Sequence, residues 1–132
     1  MFNLLKIENA RMNVPEPVYF DVADGEAVEI GEALVLTDGK LTKCGATVAP
    51  QYIAMGVKSA DDEKRTIPAC RVEKNQVYAV PVTADPTDLK VGDKVTLHTD
   101  AMQVTATTTS GVITVESLNG ATAAGDEIIV RI

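Results

Sequence analysis

The sequence predicts an all-β domain, a small barrel or sandwich of many short strands joined by hairpins, with an extended N-terminal arm. Three observations carry the prediction. The apolar residues are mainly Val, Ile, Leu and Ala, with no Trp, two Phe and three Tyr, and Val and Thr favour the pleated surface of a sheet. A phrase of apolar residue, glycine and acid, followed by alternation, recurs at Ile30-Gly31-Glu32, Val91-Gly92-Asp93 and Ala124-Gly125-Asp126. Turn signals return every 8–12 residues with no sustained helical period, the pattern of a barrel or sandwich.

In each phrase the glycine, Gly31, Gly92 or Gly125, supplies the positive φ of a tight turn. The acid after it is expected to stay in water, and the alternation that follows puts every second side chain on one face. The phrase is an instruction to turn and begin a strand.

Residues 1–17 read differently from the rest. Apolar residues lack a clear period up to Met12, and Pro15-Glu16-Pro17 stiffens the chain into an extended segment. Two readings are open: an arm reaching outward, or an edge strand tucked on the chain's own barrel. Residues 18–132 form the single β domain. Strands are expected over Val18–Val22, Ala33–Thr37 and Lys40–Cys44, the last two joined by the hairpin turn Asp38-Gly39. Tyr52–Val57 follows, then Thr66–Glu73 and Val77–Thr83, which alternate about Asn75-Gln76 as a hairpin. Pro68 and Pro81 assign parts of that pair to edges or bulges. Lys94–Thr99 and Met102–Thr107 read as another hairpin, and Val112–Ser117 and Glu127–Ile132 complete the domain.

A length of 132 residues suits one domain able to bury roughly two thirds of its unfolded surface. The net charge of −7 argues against nucleic acid, whose binding needs clustered Lys and Arg, and against an anionic membrane. No apolar run approaches the ~20 residues that span a bilayer. Lys6 and Glu8 interrupt the N-terminal apolar patch, so no signal peptide is expected and the chain is expected to fold in a cytoplasm. Cys44 and Cys70 are expected as buried free thiols, with a single disulfide as the other reading.

Catalytic chemistry needs a nucleophile, a base and an orienting group. The one histidine, His98, falls on the polar face of its strand with Lys94 and Thr96, and neither cysteine has a base beside it in sequence. An enzyme would require His98 to meet an acid and Cys44 or Cys70 in space. Asp61-Asp62-Glu63 lacks the spacing of a calcium loop and precedes two cations. The glycine–acid phrases lack the spaced glycines and following helix of a phosphate loop. Thr105–Ser110 is rich in hydroxyls, but the chain has few aromatics available to stack on a sugar. No catalytic, cofactor-binding or metal-binding residue is expected.

The stretch Val91-Gly92-Asp93-Lys94-Val95, the threonine-rich Val104-Thr105-Ala106-Thr107 and the terminal Ala123-Ala124-Gly125-Asp126 leading to Val130-Arg131-Ile132 resemble the phage capsid-decoration proteins. These are the head-stabilising β-proteins that coat a tailed-phage shell. Gly25-Glu26-Ala27-Val28 with Ile30-Gly31, and Ile53-Ala54-Met55-Gly56-Val57, fit the same plan more loosely, so the resemblance covers most of residues 18–132. The N-terminal arm departs from the simplest members. The resemblance implies a non-enzymatic structural protein without cofactors, often a homotrimer, that docks on the major capsid protein at the virion surface and stabilises the shell. An extended arm could pair with an exposed edge on that partner, with Phe2, Leu4, Leu5 and Ile7 filling pockets. The competing reading is a ligand- or carbohydrate-binding β-module, for which Tyr19, Phe20, Tyr52 and Tyr78, besides Phe2, are the available aromatics.

Overall fold

The computed structural model describes residues 1–10, 15–63 and 65–132. Among them are ten strands and no helix. They are β1 (Asn3–Ile7), β2 (Val18–Asp21), β3 (Ala33–Thr37), β4 (Lys40–Lys43), β5 (Tyr52–Ala54), β6 (Thr66–Arg71), β7 (Gln76–Pro81), β8 (Lys94–Val95), β9 (Ile113–Ser117) and β10 (Glu127–Arg131). One sheet has the order β1-β7-β10-β9-β8 and the other β2-β6-β5-β3-β4. Every named strand pair is antiparallel. The second sheet curls until Val22 and Leu41 meet through a single parallel bridge, so it is strongly bent without being a closed barrel.

That curl creates two cores. In β3, Ala33 joins the large core shared with the first sheet, whereas Leu34 joins a smaller core held inside the curl. In β5, Ile53 faces the first sheet while Tyr52 and Ala54 face the curl. Both faces of these strands are buried, which is why Ala33-Leu34-Val35 and Tyr52-Ile53-Ala54 are continuous apolar runs rather than alternations. Full burial of each Val, Leu or Ile contributes about 1.5–3 kcal/mol against leaving it in water.

The glycine–acid phrases share one geometry. Gly31, Gly92 and Gly125 have φ of +79°, +93° and +92°, as the third residue of a type II turn requires. In each turn the acid accepts a hydrogen bond from the amide three residues upstream: Glu29 N to Glu32 Oε2 at 2.9 Å, Lys90 N to Asp93 Oδ2 at 2.8 Å, Ala123 N to Asp126 Oδ2 at 3.0 Å. The acid's own amide donates back to that residue's carbonyl. Asp62 with Ser59 and Gln76 with Glu73 repeat the exchange without a glycine. The acid therefore satisfies a turn amide. The expectation of a solvated acid fails at Glu32, which is 2% exposed. There the turn folds under β4, and Lys43 Nζ lies 3.5 Å from Glu32 Oε1.

Three other expectations are corrected. The segment about Asn75-Gln76 is not a hairpin, because β6 pairs with β2 and β5 while β7 pairs with β1 and β10. The turn carries the chain from one sheet to the other. Pro68 is in an inner strand; β5 ends at Ala54, paired with Ala69, so no ladder donor is demanded from Pro68 on that side. The hairpin after the central phrase keeps its pairing, through His98 N to Gln103 O and Thr105 N to Thr96 O, but only Lys94–Val95 remains a strand. Its Thr96 is buried rather than on a solvent face, bonded to Thr105 Oγ1 at 2.8 Å.

Residues 3–7 show the edge-strand arrangement. Asn3 lies opposite Ala79 and Ile7 opposite Gln76, with a bulge at Leu5. Arg11–Val14 lie outside the described residues.

Candidate functional site

No three His, Cys, Asp or Glu side chains come together as a metal-binding group among the described residues. His98 is partly exposed, with Nδ1 3.2 Å from Asp100 Oδ1. Neither thiol is hydrogen-bonded to it. Cys44 Sγ donates to the Val48 carbonyl at 3.1 Å, and burial pushes that thiol up to about 11. Cys70 is raised mainly by burial too, and receives Gln76 Nε2 at 3.5 Å. Gln76 Oε1 accepts from Tyr78 Oη at 2.7 Å, and burial drives the Tyr78 phenol far upward. Both cysteines are free and buried. These protonated groups are satisfied core polar atoms, not an activated nucleophile. In the acidic run, Asp62 is spent on the Ser59 amide and on Arg65, 3.4 Å away.

Chemistry that could recognise a partner gathers instead at the N-terminal strand. Phe2 is 3% exposed and packs edge-on against Tyr78, with centroids 6.1 Å apart and an interplanar angle of 81°. Its amide donates to the Gly31 carbonyl at 2.9 Å. Leu4 packs against the same core, Ile7 is half-buried, and Leu5, in the bulge, is 49% exposed. Of the residues expected to fill a partner's pockets, Phe2 thus sits in the chain's own core and Leu5 faces outward. At the far end of β1, Arg131 acts as a three-way clasp. Its Nε reaches Glu116 Oε1 at 2.9 Å, Nη2 reaches Glu8 Oε2 at 3.1 Å, and Nη1 reaches the Lys74 carbonyl at 2.6 Å. Hydrogen bonds from Lys6 and Arg131 hold the Glu8 carboxyl below the usual range.

Between β1 and the second sheet lies a groove of about 350 Å³, lined among others by Leu4, Ile30, Ile53, Met55 and Cys70. Its apolar surface does not stop at Met55. Pro68 stands opposite Tyr19 across the β2–β6 ladder, and its carbonyl accepts from Met55 N at 2.9 Å. Val18 and Phe20 pack into the curl, so alternation turns Tyr19 onto the other face, where it is 64% exposed. Ile30 and Met55 are also exposed. Tyr52 and Tyr78 are buried and Phe20 packs against Tyr52 at 5.2 Å, so Tyr19 is the one strongly exposed ring among the described residues. A groove of this kind was not signalled by any motif. It is lined by residues from strands and turns far apart in sequence.

No protein-family model matches the chain, and no curated protein does. Among solved structures, the fold is similar to the head fiber gp8.5 N base of bacteriophage phi29, with a TM-score of 0.58. The similarity covers 89% of this chain and 94% of that one at 17% sequence identity, so what the two chains share is the fold.

Proposed function

We propose that this chain is a non-enzymatic structural protein of a phage head, attached to the outer surface of the capsid and stabilising it. The observation that supports this best is the fold shared, over nearly the whole of both chains, with a head-fibre base. The chemistry is compatible: both thiols are buried and hydrogen-bonded, and the net charge of −7 keeps a many-copy β protein soluble. The partner in this reading is the major capsid protein, and the chain acts as a homotrimer. The N-terminal strand supplies the contact, with Phe2 anchoring it and Leu4, Leu5 and Ile7 along its length. The carbohydrate-binding reading loses its support, since a stacking platform would need more than Tyr19.

The test is co-sedimentation of the purified chain with capsids taken before and after expansion, with light scattering of the free chain. Saturable binding at a fixed number of copies per capsid, and a trimeric mass, are expected. A chain that stays in the supernatant with both capsid forms would overturn the reading.

A further inference from the structure

We infer that the turn at Asn119-Gly120, between β9 and β10, is a site of self-modification, where Asn119 loses its carboxamide as ammonia and becomes isoaspartate or aspartate. Of the five asparagines, Asn119 is the one followed by glycine; Leu4, Ala10, Val14 and Gln76 follow the others. A glycine amide has no side chain to hinder its approach to the preceding carboxamide carbon. Both residues of the pair are exposed, and neither the Asn119 carboxamide nor the Gly120 amide makes a hydrogen bond among the described residues. Asn3 and Asn75 differ. Their Nδ2 atoms donate to Glu127 Oε1 at 3.4 Å and to the Glu8 carbonyl at 3.2 Å, and the Gln76 amide is tied to the Glu73 carbonyl at 3.0 Å.

The turn over 118–121 is type I′, with φ of +54° at Asn119 and +78° at Gly120, closed by Ala121 N to the Leu118 carbonyl at 2.8 Å. In the first step the Gly120 nitrogen gives up its proton and attacks Asn119 Cγ. The new N–Cγ bond closes a succinimide ring as the Cγ–Nδ2 bond breaks, and ammonia leaves with the released proton. Water then opens the ring. Breaking N–Cγ gives aspartate; breaking the bond from that nitrogen to the Asn119 backbone carbonyl carbon gives isoaspartate. Either product adds a carboxylate beside Asp126 and Glu127, which share a surface hollow with Asn119. Isoaspartate also lengthens the main chain just before Ala121, which is buried in the larger core. The inference rests on this turn and is independent of the capsid reading.

The test incubates the whole chain at pH 7 and pH 8.5 beside a synthetic peptide of residues 115–124, with digests mapped by mass spectrometry. Exchange of NH for O at Asn119 is expected at least tenfold faster than at Asn3, Asn9 or Asn75, and faster at the higher pH, with isoaspartate in excess. Asn119→Asp, which keeps the backbone and carries the charge of one product, should abolish the mass gain from this turn. Equal exchange at all four asparagines overturns the inference, as does a folded chain that stays unmodified while the peptide is converted. Aspartate as the sole product would mean direct hydrolysis without Gly120, also overturning it.

Discussion

Replacing Phe2 by Ala tests whether the N-terminal strand is an integral part of the fold. The ring is 3% exposed, sits in the larger core and meets Tyr78 edge-on. Truncating a buried Phe in a core typically costs about 3–5 kcal/mol, the aromatic contact included. The site is terminal, however, so the variant can shed β1 rather than hold a cavity, and the loss is capped at the free energy of docking that strand. A cost of about 3 kcal/mol is expected in urea unfolding, at the low end of the range. Hydrogen exchange gives the second signature: amides of β1 should lose protection well before those of β10, which shares β7 from the other side. Leu5→Ala, in the exposed bulge, serves as the control and should stay within about 0.5 kcal/mol. If Phe2→Ala costs less than about 1 kcal/mol and leaves β1 protection unchanged, Phe2 is not the anchor and the argument for a built-in edge strand fails.

Other consequences are equally open to measurement. Burial raises the Glu32 carboxyl above its ordinary value of 4.5, against the pull of the Glu29 amide and Lys43. A carboxyl with a raised folded value holds its proton longer when folded, so its contribution to stability falls as pH rises from 4.5 through that value. The stability of the native chain minus that of Glu32→Gln should therefore decline over this window and then level, and a difference independent of pH would refute it. Gly111→Ala would drive a Cβ into the Lys94 carbonyl and the Val95 amide, backbone atoms that cannot step aside. A loss of about 2–3 kcal/mol by chemical denaturation is expected, whereas a neutral result would mean that the β8–β9 contact is loose. Cys44 and Cys70 should resist a thiol reagent at pH 8 until the chain unfolds, because both are buried with raised thiols; two fast-reacting thiols in the native chain would contradict that.

What was legible in the sequence was local. Gly31, Gly92 and Gly125 announce positive φ because few other residues adopt it cheaply, and each takes it. The strands β4, β9 and β10 follow from alternating runs, and β3 from a short apolar run, each between turn signals. What was not legible depends on partners distant in sequence. Nothing in Thr66–Thr83 says that its two strands belong to different sheets, since each is apolar enough to be buried in either. Glu32 reads like Asp93 and Asp126, but only its turn folds beneath β4. Phe2 looks like a pocket-filling side chain on an arm until Tyr78, 76 positions later, is seen to receive it.

The same reasoning explains why the candidate site is a groove rather than a cluster of reactive groups. A sheet that curls to enclose its own core still has a second face, and among the described residues the five strands above cover only part of it. β1 stands at the end of that sheet's order among the described residues. The bulge at Leu5 and the charge of Lys6 make that edge a poor template for indiscriminate pairing.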